Sequence, residues 1–360
     1  MFTRTYAETG FYSAYSRGIA IDFPLRKILF FPPDLIHLLA NNSLSIDSIK
    51  VDNEEQQMQL TACMDELVKE NILFTTETPE CFPSPIYTSD LPSYIECIHI
   101  CFSSILVDKM DFIVECIDYL NVLAVKLDFR QCSWTEIKGM IVQLSETKVE
   151  SIECVFDFKL NAISIELLEE LLLLNRVITS FNIIGLPEGF DRLSDESVSF
   201  IKNESYFPKF APNYKLYTQS QSHHTFFYKK LFLDANGAIK NASNNPRIVG
   251  FIQEFTSPIE ILNLIETSEF QEYWHVHKEI CDVCKDCEFR HICVDNRVPI
   301  GKKNGDFFFE TECQFNPYIT KWSYEPGYKN LAACGVISTE ETFTIDTKKI
   351  ENINKELWGV

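Results

Sequence analysis

Between residues 93 and 185 short apolar runs alternate with amphipathic stretches, and this is the clearest pattern in the chain. Tyr94–Phe102, Val122–Arg130, Ser151–Phe158 and Val177–Gly185 read as strands. Lys109–Leu120 reads as a helix with Ile113, Cys116, Ile117 and Leu120 on one face. Ser133-Trp134-Thr135-Glu136 has the pattern of a capping box, in which serine and glutamate satisfy each other's free backbone donors. The helix it opens should bury Trp134, Ile137, Ile141 and Leu144, and Ser164–Leu174 predicts a further, Leu-rich helix. Repeated β-α units predict an α/β fold with a parallel sheet, open or curled toward a barrel.

The flanks are patterned differently. Upstream, Gly18–Asp22 and Lys27–Phe31 read as short strands. Pro32-Pro33 ends the second and opens a helix carrying Leu35, Leu38 and Leu39, because proline suits a first helical turn. Ser45–Lys50 predicts a second short helix. Leu60, Met64, Leu67 and Val68 recur at helical spacing along Glu54–Glu70, and Ile72-Leu73-Phe74 follow. That order is winged-helix-like. Thr75–Pro92 is rich in Thr, Pro, Ser and Glu and reads as a linker. Downstream, Phe226–Leu233 and Ala238–Lys240 flank Asp234-Ala235-Asn236-Gly237, a hairpin signal, since Asn-Gly favours the positive-φ turn. Ser257-Pro258 starts another helix. Residues 185–224 give no clear pattern.

The 360 residues, 46% hydrophobic and 23% charged, fit two or three globular domains. We divide them as 1–80, 81–224 and 225–360. Lys+Arg number 32 and Asp+Glu 52, so the formal charge is 32 − 52 = −20. Such a chain repels phosphate backbones. The winged-helix stretch is no exception: residues 51–80 hold Asp52, Glu54, Glu55, Asp65, Glu66, Glu70, Glu77 and Glu80 against Lys69 alone. A nucleic-acid partner is not expected. No run of 18 apolar residues and no apolar N-terminal signal is present, so neither a membrane partner nor export is expected, and the location should be cytoplasmic.

In that compartment the 13 cysteines are not a disulfide framework. Seven are scattered over residues 63–154, as small core residues are. Four crowd into Cys281-x2-Cys284-x2-Cys287-x5-Cys293, and Cys313 follows. Clustered cysteines in a reducing compartment point to a metal. Zn²⁺ and a [4Fe–4S] cluster both accept four thiolates, and spacing alone does not choose between them.

Elsewhere, Cys97, His99 and Cys101 share one strand face at period 2, and core packing is the better reading of them than metal binding. Lys126, Asp128 and Arg130 share a face of the next strand, and Glu153, Val155 and Asp157 of the one after. They fit an ion-pair network, or the wall of a peptide-binding lumen at strand ends.

Cys284-x2-Cys287-x5-Cys293 with Cys313 resembles the second half of a SPASM domain, the auxiliary-cluster module of radical SAM peptide-modifying enzymes. Its flanks, Cys284-Lys285-Asp286-Cys287-Glu288-Phe289-Arg290, Asp295-Asn296-Arg297, Glu312-Cys313-Gln314-Phe315-Asn316-Pro317-Tyr318 and Cys334-Gly335-Val336-Ile337-Ser338, are similar to the SPASM-domain peptide maturases of grasp-with-spasm systems. The resemblance is most specific over 226–360. It implies a cytoplasmic maturation factor that binds a ribosomally made precursor peptide and acts with an ATP-grasp ligase. It also implies one [4Fe–4S] cluster on Cys284, Cys287, Cys293 and Cys313, with Cys281 as the possible alternate and zinc as the alternative metal. An Fe–S redox enzyme acting on a peptide and a zinc-stapled interaction protein are the competing functions.

Two departures bear on activity. Cysteines that would bind another auxiliary cluster are missing at 240–243 and 294–297. The radical SAM motif Cys-x3-Cys-x2-Cys is reduced to Cys97-x3-Cys101-x2-Ser104. The middle domain then resembles a degenerate radical SAM β/α barrel, S-adenosylmethionine is not expected, and the chain reads as an accessory maturase with no identified catalytic residue. By the same resemblance residues 1–80 are a leader-recognition domain. Ile28, Leu29 and Phe30 would form its receiving edge, and Met64, Leu67 and Val68 the facing helix.

Overall fold

The computed structural model describes residues 2–6, 8–36, 53–78, 92–130, 132–185, 199–201, 210 and 212–359. The chain packs as two units, one formed by 90–206 and 226–275, the other by 1–89, 207–225 and 276–360. No helix among the described residues is long and apolar enough to cross a membrane.

The first unit is built on an eight-stranded, mostly parallel sheet. Cys97–Cys101, Ala124–Asp128, Ser151–Asp157, Ile178–Ile184 and Ser199–Ile201 lie side by side and parallel. Lys230–Leu233 joins the other side of Cys97–Cys101, also parallel, and Ala238–Lys240 and Gly250–Phe251 continue antiparallel. The hairpin expected over 226–240 therefore extends this sheet. Its first strand is shorter than the apolar run suggests because Lys229 takes φ 49°, which ends the extended conformation. Gly237 takes φ 86° at the turn, as the Asn-Gly signal predicts.

Helices cover one face of the sheet. Met110–Tyr119, Trp134–Leu144, Ile165–Leu174 and Pro258–Ile265 pack on Ile98, Ile100, Val125, Leu127, Ile152, Cys154, Phe181 and Leu231 in a single apolar cluster. Strand periodicity decides this membership. On the same face Phe102, Phe129, Phe156 and Phe181 form a ladder, with successive ring centroids 6.0, 5.7 and 6.0 Å apart. The capping box forms as read: the Glu136 carboxylate accepts from Ser133 N at 2.7 Å, and Ser133 Oγ accepts from Glu136 N at 3.4 Å. Ser133→Ala should cost about 1 kcal/mol, seen as a lower denaturant midpoint at unchanged slope.

In the second unit Thr9–Tyr12, Gly18–Asp22 and Lys27–Phe31 form an antiparallel sheet. Phe2–Thr5 pairs with Leu73–Thr76. The strands at 2–5 and 9–12 carry no strong apolar alternation and are not among the predicted elements. Thr75 and Thr76 belong to a strand and not to the linker, because Phe2 and Thr3 offer them ladder partners. The helix opening at Pro33 is described through Ile36. Leu38, Leu39, Ser45–Lys50 and residues 79–91 of the linker lie outside the described residues. Glu54–Lys69 is helical, with Asn53 Oδ1 accepting from Gln56 N at 2.8 Å. Its Leu60 and Leu67 are buried and Met64 is half-buried, but Val68, expected on the apolar stripe, is 43% exposed. Tyr214–Ser220 adds a short helix within the stretch that carried no clear pattern. The C-terminal part holds three two-stranded ribbons, the short helix Leu331–Cys334 and the helix Thr347–Trp358.

Candidate metal centre

The cysteine segment has almost no regular structure of its own, and tight turns place its side chains. Val283 takes φ 66°, a conformation a β-branched residue rarely adopts, immediately before the turn Cys284–Asp286. Such strain persists where surrounding contacts over-determine it, and it concentrates at functional sites. Here Lys285 N donates to Cys281 O at 3.0 Å and Cys287 N to Cys284 O at 3.1 Å, so the turn is held on both sides.

Cys284, Cys287, Cys293 and Cys313 all line one cavity, together with Lys278, Asp295, Arg297, Phe289 and Phe315. Cys281 is not on that wall. It is fully buried, and its thiol donates to the His277 carbonyl at 3.4 Å. Among the described residues no three of the four cavity sulfurs lie within 4.8 Å of one another. One zinc ion would draw four thiolates to about 2.3 Å from itself, and so to about 3.8 Å from each other.

The walls are electrostatically matched to thiolates. Lys278, only 3% exposed, donates to Asp295 at 2.6 Å, and Arg297 donates to both oxygens of the same carboxylate. Arg297 Nη2 also approaches Cys284 Sγ at 3.7 Å, and the Phe315 amide donates to Cys313 Sγ at 3.5 Å. Burial pushes the Asp295 carboxyl up, but Lys278 and Arg297 outweigh it and hold it far below the carboxylate range. Burial raises the thiols of Cys287, Cys293 and Cys313. Without a metal they stay protonated, and a bound metal must displace those protons. The donor set fits an iron–sulfur cluster: four thiols on one cavity, a buried lysine and a half-buried arginine beside them, and aromatic side chains in its wall.

The N-terminal sheet packs directly on this segment. Ile19, Ile21 and Phe23 share a buried cluster with Tyr217, Phe289, Ile292 and Phe315, against which Cys287, Cys293 and Cys313 pack. Arg17 Nε donates to Glu288 at 2.7 Å, Tyr15 N to Asp286 O at 3.0 Å, and Arg290 Nη1 to Ser13 O at 3.0 Å. Nothing in the sequence signals this docking, because its hydrogen-bonded partners lie more than 270 residues apart.

The residues expected to hold a peptide are split by strand pleat. Leu29, Met64 and Leu67 lie in one cluster between sheet and helix. Ile28 turns to the cluster that holds Phe289, and Phe30 sits under the Arg17 guanidinium at 3.9 Å with its ring 6.1 Å from that of Phe289. Phe30 and Val68 stay exposed. Lys27–Phe31 is an edge strand, with no partner on its outer side among the described residues.

No protein-family model and no curated protein matches the chain. Similar solved structures are SuiB of Streptococcus suis alone and SuiB bound to S-adenosylmethionine. Each is 12% identical at TM-score 0.31, with 81% of this chain and 94% of that one covered. SuiB bound to the precursor peptide SuiA is 11% identical at TM-score 0.31, covering 81% and 95%.

Proposed function

We propose that this protein is a maturation factor for a ribosomally made peptide, holding one [4Fe–4S] cluster on Cys284, Cys287, Cys293 and Cys313 and working beside an ATP-grasp ligase in the cytoplasm. The observation that carries the reading is the convergence of those four cysteines, and not Cys281, on one cavity shared with Lys278, Arg297, Phe289 and Phe315. A bound cluster supplies one-electron chemistry or a four-point staple. The chain's own residues do the rest. Lys278 and Arg297 offset the negative charge of the thiolates, and Phe289 and Phe315 keep water out.

Residues 1–80 are proposed to bind the precursor's leader segment. An edge strand can accept a peptide as one more strand, with backbone hydrogen bonds giving affinity and pockets giving selectivity. Leu29, Met64 and Leu67 support that face from beneath, and Phe30 and Val68 stand beside it. Glu54, Glu55 and Asp65 are exposed along the helix, which favours a basic leader.

The test uses the full chain and a labelled precursor peptide. Anisotropy should report binding that weakens as salt rises from about 0.05 to 0.5 M, because exposed charges are screened beyond about 8–10 Å at physiological ionic strength. Reversing Glu54 and Glu55 to lysine should weaken it further. Mass spectrometry of precursor co-expressed with the ligase should show a product that forms without S-adenosylmethionine. A modification that requires S-adenosylmethionine would overturn the accessory role, and binding unaffected by deletion of residues 1–80 would overturn the leader site.

A further inference from the structure

The parallel sheet has a second face, and it is chemically unlike the first. His99 and Cys101 lie two residues apart on one strand, so both point to the same side. In register, Cys101 stands opposite Asp128 and His99 opposite Lys126. None of these residues belongs to the apolar cluster under the helices. Faces of parallel sheets are usually apolar throughout. Cys101 and Asp128 are also the last residues of adjacent parallel strands, the end of such sheets at which ligands bind.

The charges on this face are partly settled. Lys126 pairs with Glu153 at 3.0 Å, and Asp128 takes the Arg130 side chain in a fork. The His99 imidazole is different. Its Nε2 is buried with no hydrogen-bond partner, although buried polar atoms are nearly always satisfied. A ring nitrogen of His99, Cys101 Sγ and a carboxylate oxygen of Asp128 all lie within 4.8 Å of one another. That is the spacing of groups that can share one ion, in contrast to the four cavity sulfurs.

We propose that His99, Cys101 and Asp128 form a second metal site, which takes one divalent ion of the zinc class and leaves a fourth position exchangeable. Imidazole with thiolate selects a borderline ion such as Zn²⁺ over Mg²⁺ or Ca²⁺. Three protein ligands are the number found where zinc keeps an open position for water or a substrate oxygen. Arg130 orients the Asp128 carboxylate from outside, as the outer partners of metal ligands do. The site is independent of the cysteine cavity and stands or falls without it.

The experiment takes the full chain, purified anaerobically with its metal content intact, exposes it to zinc chloride and dialyses it. Zinc and iron per chain are then counted by mass spectrometry, and the zinc edge is read by X-ray absorption. The expected result is one retained zinc with a single sulfur and otherwise nitrogen and oxygen neighbours, and no change in iron. His99→Ala and Cys101→Ala should each lose that zinc while keeping the iron and the far-UV circular dichroism of the parent. Cys97→Ser, on the same strand face but outside the triad, should keep it. Were the four cavity thiols to carry zinc in place of iron, the parent would still exceed both variants by one equivalent. Equal zinc in parent, His99→Ala and Cys101→Ala, or no zinc retained by the parent, overturns the proposal.

Discussion

Replacing Cys313 by alanine should empty the cysteine cavity of metal. Anaerobic purification of the parent should give about four irons per chain, the content of one [4Fe–4S] cluster, and a brown colour; Cys313→Ala should fall below about one iron and be colourless. On the proposed assignment the distant fourth thiol closes the site, and three thiols from the Cys284–Cys293 loop alone would leave one iron without a protein ligand. Cys281→Ala should keep most of the iron, since that thiol faces the His277 carbonyl and not the cavity. Stoichiometric zinc with no iron in the parent would reject the cluster. Loss of iron from Cys281→Ala with retention in Cys313→Ala would show that the ligand set is mis-assigned.

The second large effect is expected at Phe289. It is 6% exposed, with its ring centroid 4.3 Å from Phe210, 5.1 Å from Phe315 and 6.1 Å from Phe30. It joins the cluster loop to the N-terminal sheet. Truncating such a ring removes its buried contacts and leaves a cavity, which costs roughly 3–5 kcal/mol. Phe289→Ala should lower the denaturant midpoint accordingly, and it should speed iron loss to a chelator, because the wall beside Cys287 is opened. A cost under about 1 kcal/mol would mean that sheet and loop are not packed as one body. The same packing bears on fragments. A chain ending near residue 80 would expose Ile19, Ile21 and Phe23 to water, so leader binding is better measured on the whole protein.

Much of the fold was legible where periodicity was strong. Strands at 97–101, 124–128, 151–157 and 178–184 and the helices between them follow from apolar spacing alone. So does their parallel arrangement, because α-helical connections of this length return a strand to the same direction. The cap at Ser133 and the turn at Gly237 are local chemistry, set by residues within a few positions of each other. What periodicity missed were short strands such as 2–5 and 9–12. Their pairing with Leu73–Thr76 and Gly18–Asp22 supplies the stability that their own sequence does not.

By itself the sequence determined the clustering of the cysteines and the sheet core, because those depend on residue type and short-range spacing. Only the tertiary structure turned Cys281 to the His277 carbonyl and put Cys284 on the cavity wall, since the two differ in direction and not in spacing. It alone put Lys278, Asp295 and Arg297 around the thiols and docked Arg17 on Glu288. It also set Asp128 opposite Cys101, beside an unsatisfied imidazole. Each of these is a contact fixed by strand register or by packing between distant segments. A one-dimensional pattern carries the faces of its elements, and only folding settles what those faces meet.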